Sequence, residues 1–286
     1  MNRNLSNNKL SIKLLKEQIK LLRHLHVPLE KPKEGDWLSF REESGQTFQE
    51  YINSSPIFPR EKGNTIYIQL LGEFSISQRK IIMFTAEFIS FFFNLPTIIM
   101  DEISLSNIPS HAHRIHPSWG NRQILSKYIL ERILKPRIPK NAAAYVAFTA
   151  EDLWPGKGWN FIFGQASLIH RIGIWSIYRN GNADGSKNEF RLSLLRTMKT
   201  GAHETAHIFS IKHCISFNCL MNGANSREEA DRRPLACCPE CMAKICWATR
   251  IDPFERYRNL LKFCTKHNLF LEAKFYQNQI NALNKR

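Results

Sequence analysis

No stretch of this chain is both long enough and apolar enough to span a membrane. The most hydrophobic run, Ile81 to Met100, is broken by Glu87, Asn94 and Pro96, whereas a spanning helix needs about 20 apolar residues in succession. A secretory signal peptide is not expected either, because Leu10 to Leu25 is interrupted by Lys13, Lys16, Lys20 and Arg23. The same stretch favours Asn and Lys over Ser and Arg and contains Glu17, which makes it a poor match to a mitochondrial transit helix. Internal repeats are absent, and 13 Gly and 13 Pro among 286 residues show no collagen-like or low-complexity bias. Acidic residues are scarce beside basic ones, 25 against 40, for a formal charge of +15.

That charge is concentrated at the ends. Residues 1–33 carry eight basic and two acidic side chains, and residues 242–286 carry nine and three, so each segment holds +6 and the long middle only +3. A nucleic-acid-binding face is therefore not the expected source of the excess, and nucleic acid is not an expected partner. With 43% hydrophobic residues the chain can build one large core or two modest ones. Seven cysteines are present, five of them between Cys214 and Cys241. Such clustering suits metal ligation in a reducing compartment better than a disulfide framework, so a cytoplasmic protein is expected.

Along the chain, Ile12, Leu15, Ile19 and Leu22 recur at helical spacing and predict a basic amphipathic packing helix. Residues 28–63 read as an irregular wrapping segment. A strand is expected at Thr65 to Leu71 and a helix at Gln78 to Phe93, with Ile82, Ala86, Phe88 and Phe92 buried and Asn94-Leu95-Pro96 ending it. Another strand follows at Thr97 to Met100. Ser104 to Gly120 reads as a polar loop whose His111, His113 and His116 lack carboxylate or Cys neighbours and fit solvated surface, or packing against Trp119, better than a metal cluster. Gln123 to Leu134 reads as helix, and Ala143 to Thr149, Trp159 to Phe163 and Ile172 to Tyr178 as strands. A helix then runs from near Glu189 toward Ser210. The expected organisation is an N-terminal basic helix and wrapping segment (1–63), an α+β domain ending in that helix (64–210), and a Cys-rich C-terminal subdomain (211–286).

The late helix contains His203-Glu204-Thr205-Ala206-His207. Residues i and i+4 share a helix face, so both imidazoles can reach one ion while Glu204 leans over the open coordination side. His213 lies six positions on, far enough for the chain to turn and offer a third imidazole. Three neutral nitrogens and one water make a catalytic zinc site with an exchangeable position. Met221 precedes the turn dipeptide Asn222-Gly223 and is placed to form an apolar floor beneath the imidazoles. Cys214, Cys219, Cys238 and Cys241 supply a closed four-sulfur shell suited to a structural zinc, with Cys237 as a possible substitute ligand. Cys246 and Cys264 read as small buried hydrophobes.

The run from His203 through Asn222-Gly223, followed by Asp231-Arg232-Arg233-Pro234-Leu235 and Cys238-Pro239-Glu240-Cys241, resembles the archaemetzincins. The resemblance is strongest from Leu194 to Trp247 and extends back through Trp159 to Gln165 and, more weakly, to Gly35-Asp36-Trp37. It implies a metzincin-like zincin fold, a mixed twisted sheet with an active-site helix and a zinc-stabilised C-terminal subdomain. It also implies a zinc metallopeptidase with two Zn²⁺, one catalytic on His203, His207 and His213 and one structural on the four cysteines. Glu204 would be the general base, Met221 the Met-turn residue, and peptides or proteins the substrates; a monomer is expected. The strand Trp159 to Ser167 is the candidate substrate-holding edge by the same resemblance. One departure concerns the general metzincin pattern, in which a glycine stands where this chain has Ser210, so a positive φ there would cost about 1 kcal/mol. No cysteine upstream of Leu194 is available as a thiolate switch. Two rival readings stand beside this one: a zincin whose third ligand is Glu228 or Glu229, and a non-catalytic binding module in which both zinc ions are structural and the basic ends contact nucleic acid or a partner protein.

Overall fold

The computed structural model describes residues 3–59 and 63–285; the parts of the expected segments at 1–2, 60–62 and 286 lie outside the described residues. The chain forms two compact units, one from Met1–Pro56, Phe91–Asn94 and Ile211–Arg286, the other from Ile57–Ser90 and Leu95–Ser210.

In the first unit, α1 (Arg3–Leu22) turns Leu15, Ile19 and Leu22 inward, as the spacing predicts for a packing helix. A largely irregular segment follows, carrying the short helices α2 (Trp37–Phe40) and α3 (Phe48–Asn53). Neither has the length for hydrophobic periodicity to announce it. At α3 the announcing feature is a capping box, in which Thr47 and Glu50 each bond the other's backbone. The C-terminal part of this unit contributes four helices: α7 (Arg227–Arg232), α8 (Pro239–Thr249), α9 (Pro253–Lys266) and α10 (Phe270–Leu283).

The second unit is built on a five-stranded mixed sheet ordered β2-β1-β5-β8-β7, formed by β1 (Thr65–Leu71), β2 (Thr97–Ile103), β5 (Ala142–Thr149), β7 (Gly164–Ser167) and β8 (Ile172–Ser176). The first four in that order run parallel and β7 is antiparallel to β8. β5 and β8 are buried along their whole length, which explains why they read as continuous apolar runs rather than alternating ones. Helix α4 (Ile76–Phe93) makes the crossover from β1 to β2, with Ile82, Ala86, Phe88 and Phe92 all buried. Asn94 at φ 51° closes it in the left-handed conformation that Asn tolerates.

Three expectations are corrected. The polar loop at 104–120 contains β3 (His113–Ile115), and the helix expected from Gln123 begins as β4 (Arg122–Leu125); with β6 (Asp152–Trp154) they make a three-stranded sheet. The helical part starts at α5 (Ser126–Tyr128) and continues as a π-helical stretch, Ile129–Leu134. Gln123 is strand rather than helix because its buried amide donates to the Asp152 carboxylate at 2.7 Å, across the β4–β6 pair. Third, Trp159 to Phe163 is loop, and the strand occupies only Gly164–Ser167. None of the three loop histidines joins a metal-binding group among the described residues; His116 stacks on Trp119 at 3.9 Å.

Candidate metal centres

Helix α6 (Lys187–Ile208) carries the His-Glu-x-x-His run in its last turns. Its start is fixed by a capping box, with Ser186 accepting from the Glu189 amide and Glu189 accepting from the Ser186 amide. At the other end the chain leaves the helix through Ser210, whose φ of 66° is the left-handed conformation expected for the glycine it replaces. The Ser210 amide donates to the His207 carbonyl at 2.8 Å. Its hydroxyl accepts from the Ile57 amide at 3.1 Å, a partner that glycine could not offer.

Helix spacing brings the first two imidazoles together: the Nε2 atoms of His203 and His207 lie 3.0 Å apart, with ring planes crossing at 89°. A tetrahedral zinc with bonds of about 2.0–2.1 Å sets its nitrogens about 3.3 Å apart, so the spacing fits one ion. Across the short run to His213, one nitrogen from each of the three histidines falls within 4.8 Å of the others. Glu204, half-buried beside them, lies under the start of β7: a Cβ placed on Gly164 would sit 3.4 Å from its Cγ and only 2.7 Å from the Trp175 ring. Gly164 is thus where a strand can pass close over the carboxylate.

The four cysteines form a second group, Cys214, Cys219, Cys238 and Cys241, all buried and with sulfurs within 4.8 Å of one another. Cys214 Sγ and Cys238 Sγ are 3.7 Å apart, close to the roughly 3.8 Å edge of a tetrahedron with Zn–S bonds of about 2.3 Å. Hydrogen bonding with Cys219, Cys238 and Cys241 holds the Cys214 thiol far below its usual range. Burial raises Cys219, and the hydrogen bond with Cys214 raises Cys238 and Cys241. Four buried sulfurs this close together oppose one another's ionisation, and a divalent cation at their centre would let all four ionise. Cys237 is buried beside Cys219 but outside the four-sulfur group. Cys246 and Cys264 are buried, and burial pushes both thiols up to about 12.

Backbone ties hold this loop in shape. The Cys214 amide donates to the Met221 carbonyl at 2.8 Å, and the Leu220 amide to the Ala236 carbonyl at 2.8 Å, which joins the two cysteine pairs. Asn222 was legible only as a turn former. Its side chain also clamps the loop, donating to the carbonyls of Cys214 (2.6 Å) and Phe217 (2.9 Å) while accepting from the Cys219 amide (2.7 Å). Met221 itself is fully buried.

The carboxylate alternative for the third ligand fails on geometry. Glu229 accepts the Trp37 amide on both oxygens, at 2.9 and 3.0 Å, and the Asn225 amide at 2.6 Å. Neither Glu228 nor Glu229 belongs to a potential metal group among the described residues. Sequence reasoning missed Glu43, whose carboxylate meets His213 Nδ1 at 2.9 Å.

Residues 143–246 match peptidase family M54. Archaemetzincin-2 of Mus musculus is 32% identical over 282 residues, covering 88% of this chain and 78% of that protein. Archaemetzincin-2 of Homo sapiens is 31% identical over 283 residues, with the same coverage. In structure, the chain is similar to the crystallised archaemetzincin of Methanopyrus kandleri, with a TM-score of 0.51 and 24% identity over 71% of this chain and 98% of that one, which shows a shared fold.

Proposed function

The chain belongs to the archaemetzincins, peptidase family M54, and is a zinc metallopeptidase acting on peptides or proteins; from that premise we propose that His203, His207 and His213 hold its catalytic zinc and that Glu204 is the general base. The observation that carries this reading is the three-imidazole cluster with Glu204 beside it. Bound there, zinc supplies a Lewis acid that polarises the scissile carbonyl and acidifies a water. The Glu204 carboxylate would accept a proton from the attacking water and deliver it to the leaving amine nitrogen. A substrate backbone pairs along β7, the sheet-edge strand that passes over Glu204 at Gly164. Cys214, Cys219, Cys238 and Cys241 hold a second, structural zinc, and Met221 is the Met-turn residue. The bent chain around Asn222 supports that assignment.

Glu204→Gln tests the base. The variant is expected to keep its zinc content while peptide turnover falls by about 10²- to 10⁴-fold. Full turnover with zinc in place would remove Glu204 from the chemistry.

A further inference from the structure

His203 and His207 are oriented by the helix they stand on. His213 is not: it follows the left-handed turn at Ser210 in a stretch without regular secondary structure. A neutral imidazole carries one proton on either of two nitrogens, and only the bare nitrogen can bind a metal. An imidazole on irregular backbone therefore needs something else to choose the tautomer and fix the ring plane.

The segment between α2 and α3 supplies it. The Glu43 carboxylate lies against His213 Nδ1, at 2.9 Å from Oε1 and 3.0 Å from Oε2. Glu43 is itself held, because the Trp37 indole Nε1 donates to its Oε1 at 2.8 Å. The same indole stands edge-on to the His213 ring, with centroids 5.5 Å apart and planes at 82°. Trp37 is anchored in turn: its backbone amide donates to both Glu229 oxygens, and its ring fills the space a side chain at 223 would need, 2.4 Å from a Cβ built on Gly223. Glu229, Trp37, Glu43 and His213 thus form a chain of contacts ending on Nδ1. With Nδ1 committed to the carboxylate, Nε2 is the nitrogen left for an ion.

We propose that Glu43 is a positioning residue for the catalytic metal, accepting the Nδ1 hydrogen of His213 so that Nε2 is presented bare, with its ring plane fixed by Trp37. The proposal rests on the reading of His213 as a zinc ligand given above. Carboxylates in this role sharpen ligand orientation and raise ligand basicity, and their loss weakens metal binding by about 10- to 100-fold. Nothing in the local sequence at Glu43 signals it, since its partner is 170 residues away.

The test uses the full-length zinc-loaded chain and a competing chromophoric chelator, which resolves the two zinc ions by affinity. Glu43→Ala is expected to weaken one zinc by about 10- to 100-fold and to leave the cysteine-bound zinc unchanged. Glu43→Gln, which keeps an acceptor but loses the charge, should weaken it less. Trp37→Phe keeps a ring but removes the indole donor, and serves as the second probe should Glu43→Ala fold poorly; a several-fold weakening of the same ion is expected. Long-range ¹H–¹⁵N spectra of the imidazoles give a readout that a merely structural role would not move: His213 should be Nδ1-protonated in the parent chain and lose that defined tautomer in Glu43→Ala. Unchanged zinc affinity together with an unchanged His213 spectrum would overturn the proposal. His213→Ala separates the two failures. If that variant binds both zinc ions as tightly as the parent, the assignment of His213 as a ligand is what fails, whatever Glu43 does.

Discussion

Ser210 occupies a backbone conformation that costs a non-glycine residue about 1–2 kcal/mol, and it recovers part of that through the hydrogen bond its hydroxyl accepts from Ile57. Ser210→Gly removes the strain and the bond together, so its stability should lie within about 1 kcal/mol of the parent. Ser210→Ala also loses the bond but keeps the strain, and should be less stable than Ser210→Gly by about 1–2 kcal/mol. Urea denaturation of the zinc-loaded variants would measure the difference. Gly164 has no room for a side chain. Gly164→Ala drives a methyl toward the buried Trp175 ring and should cost about 1–3 kcal/mol, with reduced peptide turnover because β7 is displaced above Glu204. At this scale the sequence was most informative where covalent geometry does the work. Helix periodicity alone brings His203 and His207 to one point, and the short Cys-x-x-Cys spacing does the same for Cys238 and Cys241. Glu43 and Glu229 were illegible as positioning groups because tertiary packing, not spacing, brings them to their partners.

Helix α6 delivers the His-Glu-x-x-His run, and its capping box sets where it begins. Hydrogen bonds from the Ser186 amide and hydroxyl hold the Glu189 carboxyl below the ordinary carboxylate range. A carboxylate depressed in the folded state contributes stability that is fully present above its unfolded value, about 4.3, and is lost as pH falls through the lower folded value. Melting temperatures taken from pH 6 to pH 3 should therefore fall less steeply in Glu189→Gln than in the parent, while the variant is less stable near neutrality. The aromatic run Trp159 to Phe163 read as strand because its residues favour strands. Tertiary contacts override that preference: Phe161 lies under the Arg179 guanidinium at 3.8 Å, and the loop carbonyl of Asn160 accepts from Arg114 and Gln123. Behind it, fully buried Asp152 pairs with Arg179 and accepts from Asn121 and Gln123. Asp152→Ala leaves a half-buried guanidinium unpaired and should cost about 3–5 kcal/mol, measurable in the same denaturation experiment. Isolated carboxylates such as Asp152 give no sign in sequence that a whole loop depends on them.

Across the whole molecule, one residue step joins the histidine group to the cysteine group: His213 and Cys214 are adjacent. Losing the structural metal should therefore loosen the third imidazole. Cys238→Ser is expected to lose one zinc and to show lower peptidase turnover; one zinc lost with turnover unchanged would mean the two sites are independent. An α+β class with a Cys-rich C-terminal region was legible from the order of the elements, strands and helices first and the cysteine loop last, whereas the mixed twisted sheet was expected only from the family resemblance. That the N-terminal segment folds into the same compact unit as the C-terminal region was not, since no local pattern records a partner more than 150 residues away. On this reading, three imidazoles hold a zinc distinct from the one held by sulfur. Elemental analysis should then find two zinc per chain in the parent and one in His203→Ala, with hydrolysis lost alongside. Two zinc retained in His203→Ala, or only one in the parent, would contradict it.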